Sequence, residues 1–179
     1  PLADAVKLMG KEDLVPAAAD RKLFLVAPVI TFVSAITSAA VIPWGGTVEI
    51  FGTSVNLYPA DLNVGALFVL AAGAIGVYGI ILGGWSSGNR FARIGAIRSA
   101  AQVISYELIL GFSLVGIFII SGTLSLNEIM FQQHETFSLG PLEISNWFIL
   151  SQPLAFILFM IAAVAETNRV PFDLPEAES

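Results

Sequence analysis

Two sets of acids in this chain stand where acids are costly or crowded. Glu107 is the only charged residue between Ser99 and Ile120, in a run otherwise apolar enough to lie in a membrane. A carboxylate in hydrocarbon costs about 3 kcal/mol on insertion scales, so such residues face a bundle interior or a wet cavity and mark ion or proton paths. The other account of Glu107 is a protonated acid hydrogen-bonded between helices for packing alone. The second set is Glu166, Asp173, Glu176 and Glu178, interleaved with Arg169 and two prolines, Pro171 and Pro175, directly after the uncharged run Asn146 to Ala165. Pro171 pushes Val170 out of helical geometry and Pro175 suits the first turn of a new helix, which predicts a stiffened irregular loop from Arg169 to Asp173. Asp173 and Glu176 fit a capping box at the start of that helix. Capping accounts for those two acids and leaves Glu166 and Arg169 without a role. Burial suits Glu107 to taking up and releasing protons near neutral pH.

Composition says what must carry these acids. The 179 residues are 56% hydrophobic and 12% charged, with mean hydropathy +0.82, against roughly 45–50% and about 25% in soluble domains. The expected class is therefore an all-α polytopic membrane protein. Eight Lys+Arg against fourteen Asp+Glu leave a net charge of -6 and no basic patch for nucleic acid. With no cysteine, neither a disulfide framework nor a thiolate-held metal cluster can form, and one histidine, His134, makes no haem or metal site alone. Any redox centre the chain serves is expected in another subunit.

Four transmembrane spans are expected. Leu23 to Trp44 carries no charge, which at about 1.5 Å per residue crosses roughly 30 Å of hydrocarbon. The second span, 63–85, is rich in glycine: Gly65, Gly73, Gly76, Gly79 and Gly83 fall near one helical face and invite another backbone to approach. The third covers 99–121 and holds Glu107; the fourth covers 146–165. Around them, residues 1–22 form an amphipathic segment and connector, with Leu2, Ala5, Val6 and Met9 at helical spacing. Two short alternating runs about Gly52 predict a hairpin in the connector 45–62. The connector 86–98 is a loop, 122–145 is a polar connector, and 166–179 is a loop cut short. A helix that starts at Asp173 and has no body, and an opening on Pro1, make the chain read as an internal piece of a longer protein.

With four spans, segments 1–22, 86–98 and 166–179 share one side. Lys7, Lys11, Arg21, Lys22, Arg90, Arg93, Arg98 and Arg169 all fall there, and the opposite connectors hold no Lys or Arg. The excess of basic residues places that side in the cytoplasm or its equivalent. Arg98 lies nine residues before Glu107, half a turn out of phase, so the two cannot pair along one helix face.

The words of the sequence carry a resemblance as well. Ala165-Glu166-Thr167-Asn168-Arg169-Val170-Pro171-Phe172-Asp173-Leu174-Pro175-Glu176-Ala177-Glu178-Ser179 resembles the signature loop of subunit 1, the H-type subunit, of respiratory NADH:quinone oxidoreductase, complex I. Pro1-Leu2-Ala3-Asp4-Ala5-Val6-Lys7, Ala60-Asp61-Leu62-Asn63-Val64-Gly65, Gly76-Val77-Tyr78-Gly79 and Arg98-Ser99-Ala100-Ala101-Gln102-Val103-Ile104-Ser105-Tyr106-Glu107 resemble other parts of that family in the same order. The resemblance covers essentially the whole chain. It implies a fold of eight transmembrane helices, of which this chain holds the second to the fifth.

It implies further that the chain helps to form a quinone tunnel and couples quinone reduction to proton translocation. Quinone would be the substrate, and flavin and iron-sulfur clusters would sit in partner subunits, with no cofactor bound by this chain. Its partners would be the other membrane-arm and peripheral-arm subunits and the lipid of a bacterial inner (cytoplasmic) membrane, or of the mitochondrial inner membrane in an organelle. Glu107 matches the family's buried acid at the start of the proton path. Glu166, Asp173, Glu176 and Glu178 match its quinone-side loop, together with Arg169 and Phe172, and Arg98 falls in a matching motif; Arg93 does not. The alternatives are the equivalent subunit of a membrane-bound hydrogenase or of a dehydrogenase with another donor, and a free-standing proton-linked transporter. The last predicts inverted repeats, and none is visible between the two halves.

Overall fold

The computed structural model describes residues 10, 15–50, 53–56, 60–134, 136–139, 142–167 and 172. The first helix, α1 (Arg21–Ala39), is 19 residues long and begins where the Asp20 side chain accepts hydrogen bonds from the backbone N–H groups of Lys22 (3.1 Å) and Leu23 (3.4 Å). Those are two of the orphan donors every helix start must satisfy. After it comes the antiparallel hairpin β1 (Thr47–Ile50) and β2 (Thr53–Asn56), with Thr47 opposite Asn56 and Ile50 opposite Thr53, as the alternation about Gly52 predicts. Next is α2 (Gly65–Ser86), of 22 residues.

A tight turn at 87–89 leads into α3 (Arg90–Ser121), the longest helix at 32 residues. Gly88 takes φ 71 in that turn, and the Asn89 side chain accepts from the Phe91 N–H at 2.9 Å. The segment 86–98, read from its polarity as a loop, is thus helical from Arg90 onward, because Gly88 and Asn89 supply the turn and the cap. Gly122, at φ 67, ends α3 in the left-handed conformation favoured after a helix.

The connector beyond α3 contains more structure than its polarity suggests. A nine-residue helix, α4 (Leu126–His134), is followed by a second antiparallel hairpin, β3 (Thr136–Leu139) and β4 (Leu142–Ser145). The last helical stretch is broken: four residues form α5 (Phe148–Ser151), Gln152 departs from helical geometry at φ -133, ψ 55, and α6 (Pro153–Glu166) runs for 14 residues with Pro153 in its first turn. The break follows from Pro153, which disfavours helix at the residue before it.

The helices pack in sequence, α1 on α2, α2 on α3 and α3 on α6, each antiparallel to its neighbour. The Asp20 N–H reaches the Ser86 carbonyl at 2.9 Å, so Arg21 and Lys22 lie at the same end of the bundle as Arg90 and Arg93. Most residues buried inside the bundle are small, Ala27, Ala66, Ala72, Ala100, Ala162 and Ala165 with Ser34 and Ser113, although Val77 of α2 is buried among them. Large apolar side chains point outward, Phe112 74% and Ile119 75% exposed. That inversion of a soluble core is what lipid or neighbouring membrane subunits require, since interhelical packing there relies on small residues. Three helices, α1, α2 and α3, are long and apolar enough to span a membrane, and α6 is a shorter apolar helix. The fold is an all-α polytopic membrane architecture.

The glycines of α2 serve two neighbours rather than one. A Cβ on Gly79 would strike the Thr31 hydroxyl and lie 2.7 Å from the Ala27 carbonyl oxygen on α1, and a Cβ on Gly76 would lie 2.8 Å from the Ser34 hydroxyl. Gly84 faces Ala96 of α3, and Gly73 faces Glu107. The two sets lie on different faces of α2: Gly76, Gly79 and Gly83 turn toward α1, whereas Gly73 and Gly84, before and after them in sequence, turn toward α3.

Candidate functional site

Glu107 sits midway along α3, where it is half-buried. Its Oε1 lies where a side chain on Gly73 would go, 2.9 Å from the position of a Cβ there, so the absence of a side chain on α2 makes room for the carboxyl. Glu166 is the last residue of α6. Fourteen residues are about 21 Å of helix, short of the roughly 30 Å of a hydrocarbon core. Gln152, just before α6, lies against Gly116 of α3 and the two helices run antiparallel, so the 14 residues of α6 bring Glu166 beside the middle of α3.

The two carboxyl groups line one cavity of about 480 Å³ between α2, α3 and α6. Its walls are otherwise mostly apolar, with Leu70, Leu110, Leu114 and Phe159 among them, and it extends beneath α4 to Met130 and Gln133. Gln133 in turn accepts the Phe148 N–H at 3.4 Å, which ties α4 to the start of α5. Farther along, α4 is fixed to the entry of α2: Asn127 donates to the Asp61 carboxylate at 2.7 Å, and the Ala66 N–H donates to the Leu124 carbonyl at 3.0 Å.

Toward the basic end, Phe172 packs on α3. Its carbonyl oxygen accepts from the Gln102 side-chain amide at 3.4 Å, and its ring meets Tyr106 edge to face, centroids 5.5 Å apart and planes at 66°. Arg98, one turn before Gln102, is exposed. Arg93 lies over the Trp85 ring, 5.9 Å from its centroid, a cation–π pairing at the interfacial end of α2.

Of the residues singled out in the sequence, Glu107 and Glu166 are thus brought together, Phe172 is placed one to two turns away along α3, and Arg98 stands apart from Glu107. Arg169, Asp173, Glu176 and Glu178 lie outside the described residues, as do most of the amphipathic segment 1–22 and the helix start at Asp173. Sequence reasoning did not single out Gln102, Tyr106 or Gln133, and it named Gly73 only as one member of the glycine stripe. A signal existed for Gln102: an amide in an apolar span must find a partner, and Tyr106 follows it by four residues. Nothing local marked Gly73 among so many glycines. Among the described residues no group of three or more His, Asp or Glu side chains is placed to hold a metal ion.

Comparison with known proteins bears on all of this chain. A family model described as NADH dehydrogenase matches residues 1–179. The chain is 63% identical over 179 residues to the H subunit of NADH-quinone oxidoreductase from Thermomicrobium roseum, covering 100% of this chain and 52% of that protein. It is 49% identical over 178 residues to the first of two such H subunits of Geobacter metallireducens, covering 99% of this chain and 51% of the relative. To the H subunit of Frankia alni it is 50% identical over 177 residues, covering 99% of this chain and 37% of the relative. The chain spans about half the length of most of these relatives. With mostly small residues inside, large apolar residues outside, three helices long and apolar enough to span a membrane and a family match from end to end, the chain belongs to the NADH dehydrogenase family.

Proposed function

We propose that this chain is the second-to-fifth-helix portion of the H-type subunit of an NADH:quinone oxidoreductase, that it walls part of the quinone site, and that it couples quinone reduction to proton movement. One observation carries the mechanism: Glu107 and Glu166, from helices far apart in sequence, share a single cavity with apolar walls. Two carboxyls in such a space hold protons as a coupled pair, so the proton content of one depends on the charge of the other. The remaining loop acids, Asp173, Glu176 and Glu178, with Arg98, Arg169 and Phe172, would face the quinone.

Reducing a quinone draws protons or leaves negative charge at the site. The loop carboxylates respond first, Glu166 next, and Glu107 passes the change into the membrane along the cavity toward α4. The electrons arrive from flavin and iron-sulfur clusters in partner subunits, and this chain supplies acids, shape and an apolar wall. The end carrying Arg21, Lys22, Arg90 and Arg93 faces the cytoplasm and the peripheral arm.

The test is Glu107→Gln in the assembled complex. NADH oxidation by hydrophilic artificial acceptors should persist while quinone-linked proton pumping falls by about tenfold or more, the range of a lost proton-transfer group. Pumping at the wild-type level would overturn the assignment.

A further inference from the structure

Gln102 does not line the cavity of the acid pair, yet among the described residues it hydrogen-bonds α3 to the chain beyond Glu166. Its side-chain amide has two N–H donors. One partner is the Phe172 carbonyl oxygen at 3.4 Å and the other the Tyr106 hydroxyl at 3.3 Å, while Tyr106 also braces the Phe172 ring edge-on at 5.5 Å. Gln102 and Tyr106 are one turn apart and half-buried, in surroundings where an unpaired amide is costly. The contact is made to the main chain, so it holds the chain at residue 172 whatever side chain stands there. Tyr106 is also the immediate neighbour of Glu107 on α3.

We propose that Gln102 is a positioning residue: through the Phe172 carbonyl it fixes the charged loop to the same stretch of α3 that carries Glu107, so that α3 sets the spacing between the loop acids and the acid pair. The clasp itself follows from the contacts, and its effect on quinone rests on the function proposed above. An amide is suited to this task because it is neutral, survives in apolar surroundings once paired, and holds a fixed donor geometry that a lysine ammonium does not.

The experiment uses the assembled complex with the full-length subunit. Because residues 1–179 contain no cysteine, Ala177→Cys introduces a reporter in the loop, and its rate of maleimide labelling is followed on this subunit. Adding Gln102→Leu, which keeps the bulk and removes the donors, should speed labelling roughly three- to tenfold, the factor expected for losing one neutral hydrogen bond. Without the reporter, Gln102→Leu should raise the KM for a short-chain quinone by a similar factor, lower kcat less than about twofold, and leave NADH oxidation by hydrophilic acceptors unchanged. Tyr106→Phe, which keeps the ring edge and drops one acceptor, should change labelling less than about twofold. If Gln102→Leu fails to assemble, Gln102→Glu, which keeps the shape and lacks the paired donors, takes its place with the same expectations. Unchanged labelling overturns the clasp. Faster labelling with an unchanged KM upholds the clasp and overturns the quinone role of the loop.

Discussion

The α1–α2 contact and the α2–α3–α6 contact use the same helix in opposite ways. Against α1, α2 presents Gly76 and Gly79, and the backbones come close enough that the Thr31 hydroxyl donates to the Gly76 carbonyl at 3.3 Å and Ser34 is almost fully buried. Neither helix places a charge in that interface. Against α3, one turn farther along, Gly73 leaves room that is filled by a carboxylate, and a cavity opens to Glu166. The same small residue thus produces close packing in one place and working space in the other. What decides between them is the neighbour: Ser and Thr return their hydroxyls to backbone carbonyls and close the gap, as Ser34 does to Thr31 at 2.9 Å, whereas an acid brings a group that needs water or a proton.

This contrast is open to direct attack. The largest effect is expected from Gly79→Leu, which would drive a side chain into Thr31 and the Ala27 carbonyl. The cost should exceed about 3 kcal/mol, read as loss of the subunit and its complex from membranes; normal assembly would mean that α1–α2 is no scaffold. Next is Glu107→Gln, with the complex present in normal amount and pumping lost. Gly73→Ala is the sharper case, because its Cβ would meet the flexible end of a side chain, the Glu107 Oε1 at 2.9 Å, rather than a backbone. Assembly should stay within about twofold while pumping per quinone reduced changes by several-fold, since the carboxyl must move. If Gly73→Ala instead behaves as a packing mutant, the two contacts are alike after all. The smallest effect is expected for Ser34→Ala, whose hydroxyl bond stays within α1. It should cost about 0.5–1.5 kcal/mol, measured as a small fall in thermal stability of the purified complex.

Local rules carried much of the architecture. Three of the uncharged runs overlap α1, α2 and α3, the helices long and apolar enough to span a membrane, the hairpin about Gly52 was legible as alternation, and Glu107 stood out because no other charge shares its run. Other features were not legible for a common reason. The residues 86–98 looked like a loop because arginines are polar, although Asn89 caps a helix through them. Helix α4 is short and of mixed polarity, so no periodic signal separates it from a connector. The glycine stripe of α2 was visible as a stripe, but not its division between α1 and α3.

What the sequence by itself determined is the apolar medium, the long apolar helices and the identity of the acids, because hydropathy and charge are properties of a few neighbouring residues. Only the tertiary structure decided that Glu166 comes to Glu107, that Gly73 makes the room for it, and that Gln102 holds Phe172. Those juxtapositions join residues 59 positions apart in the chain for the acids and 70 for the clasp. They depend on where α6 stops and how α3 is rotated against its neighbours, which no local pattern encodes.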